Sequence, residues 1–224
     1  VTTISDWRSA RVVSNEPACE DMISLLLEPE ELLPHRAGQH YELRLPGDGL
    51  SRKYSIVSPP ERDSPLEFGV QLLPTGLVSP RLAATRPGDR VEIRGPLGEA
   101  FVWTPASGRS LILLGGGAGI TPLLSIYEHF RRSVPRGREI FIMSAKTPQR
   151  IYRYERYRDR LTTRFTSSDP RLDKDDLVAI TGDLLHDSEA SAWICGPPGF
   201  IDLMVDNLIE LDFPEMRIRS EAFV

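Results

Sequence analysis

Three short segments bring together residue types that can do chemistry. The first is Gly115-Gly116-Gly117-Ala118-Gly119-Ile120-Thr121-Pro122, directly after an apolar run and directly before a helical pattern. Glycines let a backbone turn tightly and approach a pyrophosphate, and a helix N-terminus offers unpaired N–H groups and roughly half a positive charge. A dinucleotide phosphate is expected there, although a glycine turn between strand and helix also occurs with no ligand at all. The second is Ile194-Cys195-Gly196-Pro197-Pro198-Gly199-Phe200, again between an apolar run and a helical stripe. A lone cysteine at a strand end is most often a small core residue, but here Gly-Pro-Pro-Gly restricts the backbone around it. The third is Ser51-Arg52-Lys53-Tyr54-Ser55. On a strand, Arg52 and Tyr54 share one face and Lys53 and Ser55 the other. A guanidinium can fork onto a phosphate, and a tyrosine can lay its ring along a flat ligand while its hydroxyl bonds a polyol. The same segment also fits a solvated edge strand with routine cross-strand pairs.

These segments need elements to hold them, and the character of the sequence changes near residue 105. Before it, runs of β-formers at Met22 to Leu27, Gln39 to Leu45, Lys53 to Val57, Leu66 to Leu73 and Arg90 to Arg94 alternate with turn clusters such as Pro46 to Gly49 and Pro59 to Pro65. That pattern predicts an antiparallel barrel or sandwich. After the linker Thr104 to Gly108, strands are predicted at Ser110 to Leu114, Glu139 to Met143, Leu161 to Phe165, Ala192 to Cys195 and Met216 to Ile218. Several are continuous apolar runs suited to a sheet covered on both faces. Thr121 is predicted to cap the first helix with Pro122 opening it, and Ile201, Met204, Val205, Leu208 and Ile209 form the stripe of the last. Strand–helix alternation implies a doubly wound parallel sheet with its ligand at the carboxyl ends of the strands, so both glycine loops open on one edge. The expected fold is two domains, an N-terminal antiparallel β-barrel over residues 1–104 and a C-terminal α/β domain with a doubly wound parallel sheet over 108–224.

Composition narrows the function. The chain has 224 residues, 40% hydrophobic and 26% charged, which excludes disorder as the main theme. A net charge of -5 without a basic block argues against a nucleic-acid partner. No apolar run is long enough to span a bilayer and the first segment lacks a signal-peptide layout, so a cytoplasmic protein is expected. Two cysteines, Cys19 and Cys195, are too few for a four-thiolate zinc site or a [2Fe-2S] cluster. The four histidines form no H-x-x-x-H pair, so no metal is expected, and any iron–sulfur partner lies outside this chain.

Taken in order, RKYS in the all-β half and then GGGAGITP and CGPPGF in the α/β half, the chain resembles the ferredoxin-NADP⁺ reductase-like flavoprotein superfamily along nearly its whole length. Ala37-Gly38-Gln39, Gly76-Leu77-Val78-Ser79, Pro87-Gly88-Asp89 and Gly95-Pro96-Leu97-Gly98 with Phe101 reinforce the resemblance. It implies a flavin-binding barrel and an NAD(P)-binding α/β domain. Arg52 would hold a flavin phosphate, Tyr54 would pack on the isoalloxazine and bond the ribityl chain, and Ser55 would hydrogen-bond near N5. Gly76, Leu77, Val78 and Ser79 would line the flavin pyrophosphate, with Ile56, Val70 and Leu72 among the cofactor contacts. Gly117, Gly119, Ile120 and Thr121 would cradle the nicotinamide dinucleotide, with Cys195, Gly196 and Pro197 beside its nicotinamide ring. Glu221 and Phe223 match the family's carboxylate and aromatic near the flavin. The resemblance makes Ser55, Cys195, Thr121 and Glu221 the catalytic candidates. It implies a hydride relay from NAD(P)H to the flavin, then electrons passed singly to a separate acceptor, while the protein stacks two rings about 3 to 3.5 Å apart and excludes water.

Within that resemblance, Arg94-Gly95-Pro96-Leu97-Gly98-Glu99-Ala100-Phe101 is similar to the FAD-containing branch rather than the FMN-containing one, so FAD is the expected flavin. Phe101 or Trp103 either stacks on adenine or is buried in the barrel. Lys146 or Arg150 can reach a 2′-phosphate, or can be solvated charges beside a helix over Tyr152 to Arg160. Asp169, facing the ribose, would repel a phosphate, which tips the balance between NADH and NADPH towards NADH. The implied acceptor is a redox partner protein such as a ferredoxin, an oxygenase or a haem protein. Three alternatives stay open. One is a reductase portion of a longer chain with a [2Fe-2S] ferredoxin domain, Ser220-Glu221-Ala222-Phe223-Val224 resembling the point of joining. Another is a flavin-free nicotinamide-dependent dehydrogenase, for which no His or Lys acid–base pair is evident. The third is a non-catalytic nucleotide-binding module that keeps the fold.

Overall fold

A computed structural model describes residue 3, residues 5–60 and residues 65–223. The turn expected at Pro59 to Pro65 falls partly on residues 61–64, outside the described residues, as do positions 1 and 224. The first half forms β1 (Arg8–Cys19), β2 (Met22–Pro29), β3 (His40–Arg44), β4 (Arg52–Ser55), β5 (Leu66–Gln71), a short helix α1 (Ser79–Ala83) and β6 (Arg90–Leu97). The strands make a six-stranded antiparallel sheet in the order β4-β3-β6-β1-β2-β5. A bridge between Ile56 and Phe68, with Val57 N donating to Glu67 O at 2.8 Å, joins the segment after β4 to β5 and closes the sheet into a barrel. Its core follows the period of two: Ile23, Leu25 and Leu27 of β2 and Leu66, Phe68 and Val70 of β5 point inwards.

The longest strand, β1, is the one that the sequence pattern does not announce. Its inward places go to Ala10 and Val12 but also to a charged residue, Arg8, 7% exposed. Arg8 Nη2 is satisfied by Gly95 O and its guanidinium lies 5.8 Å from the Tyr41 ring. Irregular register between Val12 and Ser14 and around Pro17 breaks the alternation further.

The second half forms β7 (Ser110–Gly116), α2 (Ile120–Ser133), β8 (Arg138–Ala145), α3 (Tyr154–Tyr157), β9 (Thr162–Phe165), α4 (Lys174–Thr181), β10 (Ala190–Gly196), α5 (Pro198–Glu210) and β11 (Ile218–Ala222). The sheet is parallel throughout, in the order β11-β10-β7-β8-β9, the doubly wound arrangement expected. Two expectations need correction, and one helix was not foreseen. Met216 lies in a tight turn over Glu215–Arg217 and is 78% exposed, so the last strand starts at Ile218. The helix expected over Tyr152 to Arg160 is the single turn α3 followed by a 3-10 turn, because Arg153 takes a left-handed φ of 49°. An unforeseen helix, α4, is capped by Asp173, whose side chain accepts from Asp176 N at 2.9 Å.

Alternate residues of β7 serve two cores. Ile112 and Leu114 pack with Leu177, Met204 and Leu208 of the outer helices, whereas Leu111 and Leu113 pack with α2 and with Met22, Val57, Phe101 and Trp103 of the barrel half. The barrel and the α/β unit therefore share one hydrophobic core. Phe101 stands edge-on to Trp193 at 5.2 Å and Trp103 edge-on to Phe130 at 5.5 Å, 4% and 1% exposed. Of the two roles weighed for these rings, their burial at this seam favours packing over stacking on adenine. Among the described residues, no helix is long and apolar enough to cross a membrane and no cluster of metal-ligating side chains occurs.

Candidate functional site

The loop of residues 115–122 is built by close packing of two strand ends. β7 runs into a 3-10 turn over Gly117–Gly119, and α2 starts at Ile120. A Cβ on Gly119 would lie 2.1 Å from Cys195 O, so only glycine lets this turn rest against the end of β10. One on Gly116 would meet the Phe200 ring at 2.9 Å and Pro197 at 3.1 Å. The two loops thus form one cleft. The cap differs from expectation: Gly119 occupies the cap position, and Thr121, wholly buried in the first turn, donates its hydroxyl to Ala118 O at 3.0 Å. A serine or threonine at the cap would need a Cβ where Gly119 has no room, so no side chain caps the helix start, and Ile120 N donates back to Gly117 O in the preceding turn.

A cavity of about 590 Å³ opens at the carboxyl ends of β7, β8 and β9, with Gly117 and Pro197 in its wall. Gly117 has a left-handed φ of 54° and no atom within 4 Å of a built Cβ. Lys146 and Arg171 are exposed on the same cavity and make no ion pair among the described residues. Arg150 is different, since its guanidinium is held by Glu20 at 3.2 Å and Asp21 at 3.5 Å from the β1–β2 turn. The Asp169 carboxylate accepts from Phe165 N at 3.0 Å.

On the barrel side, burial along β4 does not follow the alternation expected. Arg52 and Lys53 are exposed, whereas Tyr54 and Ser55 are buried. Arg52 donates to Ser51 O at 2.8 Å and makes no ion pair among the described residues. Burial pushes the Tyr54 hydroxyl up to about 12, so it remains a donor. Gly76 turns back onto Leu73, Ser79 Oγ accepts from Leu73 N at 3.3 Å, and Leu77 stands 62% exposed beside Val78, which is buried. Ile56 and Val70 lie wholly inside the barrel core, with Leu72 packed at its margin.

A second cavity, about 280 Å³, joins the halves: His40, Lys53 and Ser55 come from the barrel, and Glu221, Ala222 and Phe223 from β11 and its end. Phe223 N donates to Gly196 O at 3.1 Å, which ties this cavity to the CGPPG loop. Burial raises the Glu221 carboxyl, and its Oε2 is buried without a hydrogen-bond partner among the described residues. Cys195, paired in register with Glu221, has no exposed surface, and burial first and Glu221 second push its thiol well up.

The structure therefore brings Ser55, Glu221 and Phe223 around one cavity and Gly117 and Pro197 around the other. Gly119, Ile120, Thr121, Cys195 and Gly196 are packed between the two. Lys53 stands on the Ser55 cavity, as their shared strand face predicts, whereas His40 and Arg171 join the sites without having been singled out; the signal available for Arg171 was its position just past the third strand of the parallel sheet. The residues suit a phosphate-rich dinucleotide on the glycine turn. The orphaned Glu221 oxygen, the unpaired Arg52 and the bare Leu77 suit a large, partly apolar anionic cofactor against the barrel.

Residues 9–102 match the family model of an oxidoreductase FAD-binding domain. The chain is 28% identical over 235 residues to the reductase subunit of an aromatic O-demethylase from Amycolatopsis sp., covering 96% of this chain and 69% of that one. It is 27% identical over 239 residues to the reductase component of a propane 2-monooxygenase from Rhodococcus jostii, covering 98% and 64%. The crystal structure of an Amycolatopsis cytochrome P450 reductase superposes with a TM-score of 0.83 at 26% identity, covering 97% of this chain and 70% of that one. The chain thus spans about two thirds of the length of these relatives. The chain is thus similar along nearly its whole length to oxygenase reductase components of the ferredoxin-NADP⁺ reductase-like superfamily and has their two-domain fold, and its residues 9–102 match an oxidoreductase FAD-binding domain.

Proposed function

We propose that the protein is an NAD(P)H-dependent flavoprotein reductase that holds FAD on the barrel, NADH or NADPH on the α/β unit, and passes electrons to a separate redox partner. When bound, FAD would supply the redox chemistry, a two-electron hydride transfer from the nicotinamide and single-electron release to the partner. The observation that carries this reading is the junction at the end of β10: Cys195 abuts Gly119 of the dinucleotide loop on one side and pairs with Glu221 of the Ser55 cavity on the other. One strand end therefore ties both seats together.

In this reading the domains are residues 1–104 and 108–224. Arg52 holds a flavin phosphate and Tyr54 offers its ring and hydroxyl, while Gly76, Leu77, Val78 and Ser79 line the pyrophosphate. Ile56, Val70 and Leu72 back that seat. Ser55 and Glu221 face the reacting edge with Phe223 closing it. Gly117, Gly119 and Ile120 cradle the dinucleotide, and Thr121, Cys195, Gly196 and Pro197 hold the wall on which the nicotinamide rests. The related proteins are reductase components of an O-demethylase and a monooxygenase, which supports an oxygenase, ferredoxin or haem protein as the acceptor. With two cysteines in the chain, an iron–sulfur acceptor would have to be another module. A consumer of NAD(P)H belongs where that nucleotide is made, so the cytoplasm is part of the proposal.

The test is a visible spectrum of the FAD-loaded protein before and after anaerobic NADH, then NADPH. Bleaching of the flavin bands by either nucleotide is expected. Protein that takes up no FAD, or FAD-loaded protein that neither nucleotide bleaches, would overturn the reading.

A further inference from the structure

The barrel strands that meet the α/β unit divide their residues by the period of two. Ile23 and Leu25 of β2 and Leu66, Phe68 and Val70 of β5 enter the barrel core, so Met22, Ser24, Glu67, Gly69 and Gln71 face outwards. They are paired across the strands, Met22 with Gln71 and Ser24 with Gly69. Each meets the other unit. Met22 enters the shared core, and Gln71 reaches the dinucleotide cavity and bonds Asp21 at 3.3 Å. Glu67 accepts from Tyr152 Oη at 2.8 Å and Arg153 Nε at 2.9 Å, and Ser24 Oγ accepts from Arg153 Nη2 at 2.8 Å.

Gly69 is the bare position of this face, and the space that its side chain would fill is taken. A Cβ built there would lie 2.3 Å from Thr121 Cγ2, 3.2 Å from Tyr152 Cε2 and 3.3 Å from Met22 Cε. Thr121 is β-branched, wholly buried and tied through Oγ1 to Ala118 O, so its methyl cannot turn aside. It stands in the first turn of α2, directly after the glycine loop.

We propose that Gly69 is a positioning residue, whose missing side chain lets the start of α2 seat on the barrel and so sets the spacing between the dinucleotide loop and the Ser55–Glu221 cavity. The seat is pinned on both sides of Gly69, by the Glu67 contacts to Tyr152 and Arg153 and by the Arg150–Asp21 pair. A methyl at position 69 is therefore not absorbed by sliding; it lifts the helix start by about 1 Å, a displacement that costs on the order of 100-fold where two reactants must be aligned. The catalytic consequence rests on the reductase reading; the spacing role does not.

The experiment compares the full chain with Gly69→Ala and with Gly69→Ala/Thr121→Ser, which deletes the struck methyl but keeps the hydroxyl. Hydrogen exchange of the protein without nucleotide reads the amides of residues 117–124, and anaerobic stopped flow reads FAD reduction. Gly69→Ala is expected to speed exchange at the start of α2 and to slow FAD reduction about tenfold or more, with FAD affinity and nucleotide KM changed by about twofold or less. The double variant is expected to recover the exchange, and to reduce FAD as fast as a Thr121→Ser single variant measured beside it. Wild-type exchange in Gly69→Ala, or a loss that Thr121→Ser does not relieve, would overturn the proposal. If the wild-type protein loaded with FAD is bleached by neither nucleotide, the reductase reading fails while the exchange comparison still decides the spacing role.

Discussion

His40 Nδ1 and Glu221 Oε1 face each other at 4.0 Å across the seam between barrel and last strand, and burial drives both towards their neutral forms. The imidazole is lowered, by burial first and then by Lys53, and the carboxyl is raised by burial. The contact is therefore not an ion pair at neutral pH, despite its distance. A protonated Glu221 can donate where a carboxylate can only accept, which suits a carboxyl at the edge of a redox cofactor.

The raised Glu221 carboxyl has a consequence for stability. A group whose folded value lies above its unfolded one contributes stability below the unfolded value, and that contribution is lost as pH rises through the folded value. For Glu221 the window opens at the ordinary carboxyl value of 4.5 and extends upwards. Glu221→Gln is expected to match the wild-type melting temperature at acid pH and to exceed it increasingly as pH rises through that window. Parallel melting curves for the two proteins between acid and neutral pH would contradict this.

Glu67 makes the clearest case for a polar clasp between the units. It is 7% exposed and accepts from Ser24, Tyr152 and Arg153. Burial, then Glu67, pushes the Tyr152 hydroxyl far up, so it donates at any physiological pH. Tyr152→Phe removes one bond to a carboxylate and is expected to cost about 1.5–3 kcal/mol of stability. Urea unfolding with an unchanged slope and a lower midpoint is the expected result; an unchanged midpoint would mean that the clasp holds nothing.

Arg52 separates binding from stability. Its guanidinium is exposed and bonds only Ser51 O among the described residues, so Arg52→Ala is expected to leave the cofactor-free protein within about 0.5 kcal/mol of wild type. Loss of a charge-assisted phosphate contact is expected to cost about 1.5–3 kcal/mol, roughly tenfold to 150-fold in FAD affinity. Fluorescence titration of FAD measures it, and unchanged affinity would remove Arg52 from the flavin site.

Both glycine loops are legible in the sequence because their strands, β7 and β10, are buried at every position and read as unbroken apolar runs ending in glycine. The barrel strands β2 and β5 are legible as runs of β-formers bounded by turn residues. β1 is not, since a buried arginine, a proline and two bulges hide the same pattern. His40 escapes notice for another reason: it gains its place from a cavity shared with Glu221 of β11, a contact between distant parts of the chain that no local spacing encodes. Phe101 and Trp103 illustrate the converse, since an aromatic side chain does not reveal whether its ring will meet a cofactor or a neighbouring core.

The cation set at the dinucleotide cavity divides by partner. Lys146 and Arg171 line it without ion pairs among the described residues, whereas Arg150 is held by Glu20 and Asp21. Lys146→Ala and Arg171→Ala are each expected to weaken nucleotide binding on the order of tenfold, more for NADPH than for NADH if either side chain meets the 2′-phosphate. Arg150→Ala is expected to weaken it less. Calorimetric titration with both nucleotides decides, and an Arg150→Ala loss as large as the other two would reverse the assignment.

On the proposed reading, Cys195 serves through shape rather than reactivity. Its thiol has no exposed surface, and burial and then Glu221 hold it well above its ordinary value, so it carries no thiolate at working pH. Its backbone is the surface on which Gly119 packs, and its strand partner is Glu221. Cys195→Ala is accordingly expected to slow FAD reduction more than it weakens nucleotide binding, because it loosens the wall between the two seats without removing a phosphate contact. A chemical control is available in the native protein. Iodoacetamide at about pH 8 is expected to leave Cys195 unmodified while labelling both cysteines in urea, since alkylation needs an accessible thiolate. Labelling of native Cys195 as fast as in the unfolded chain would mean that the end of β10 opens to solvent, and its role as a fixed wall would fall with that result.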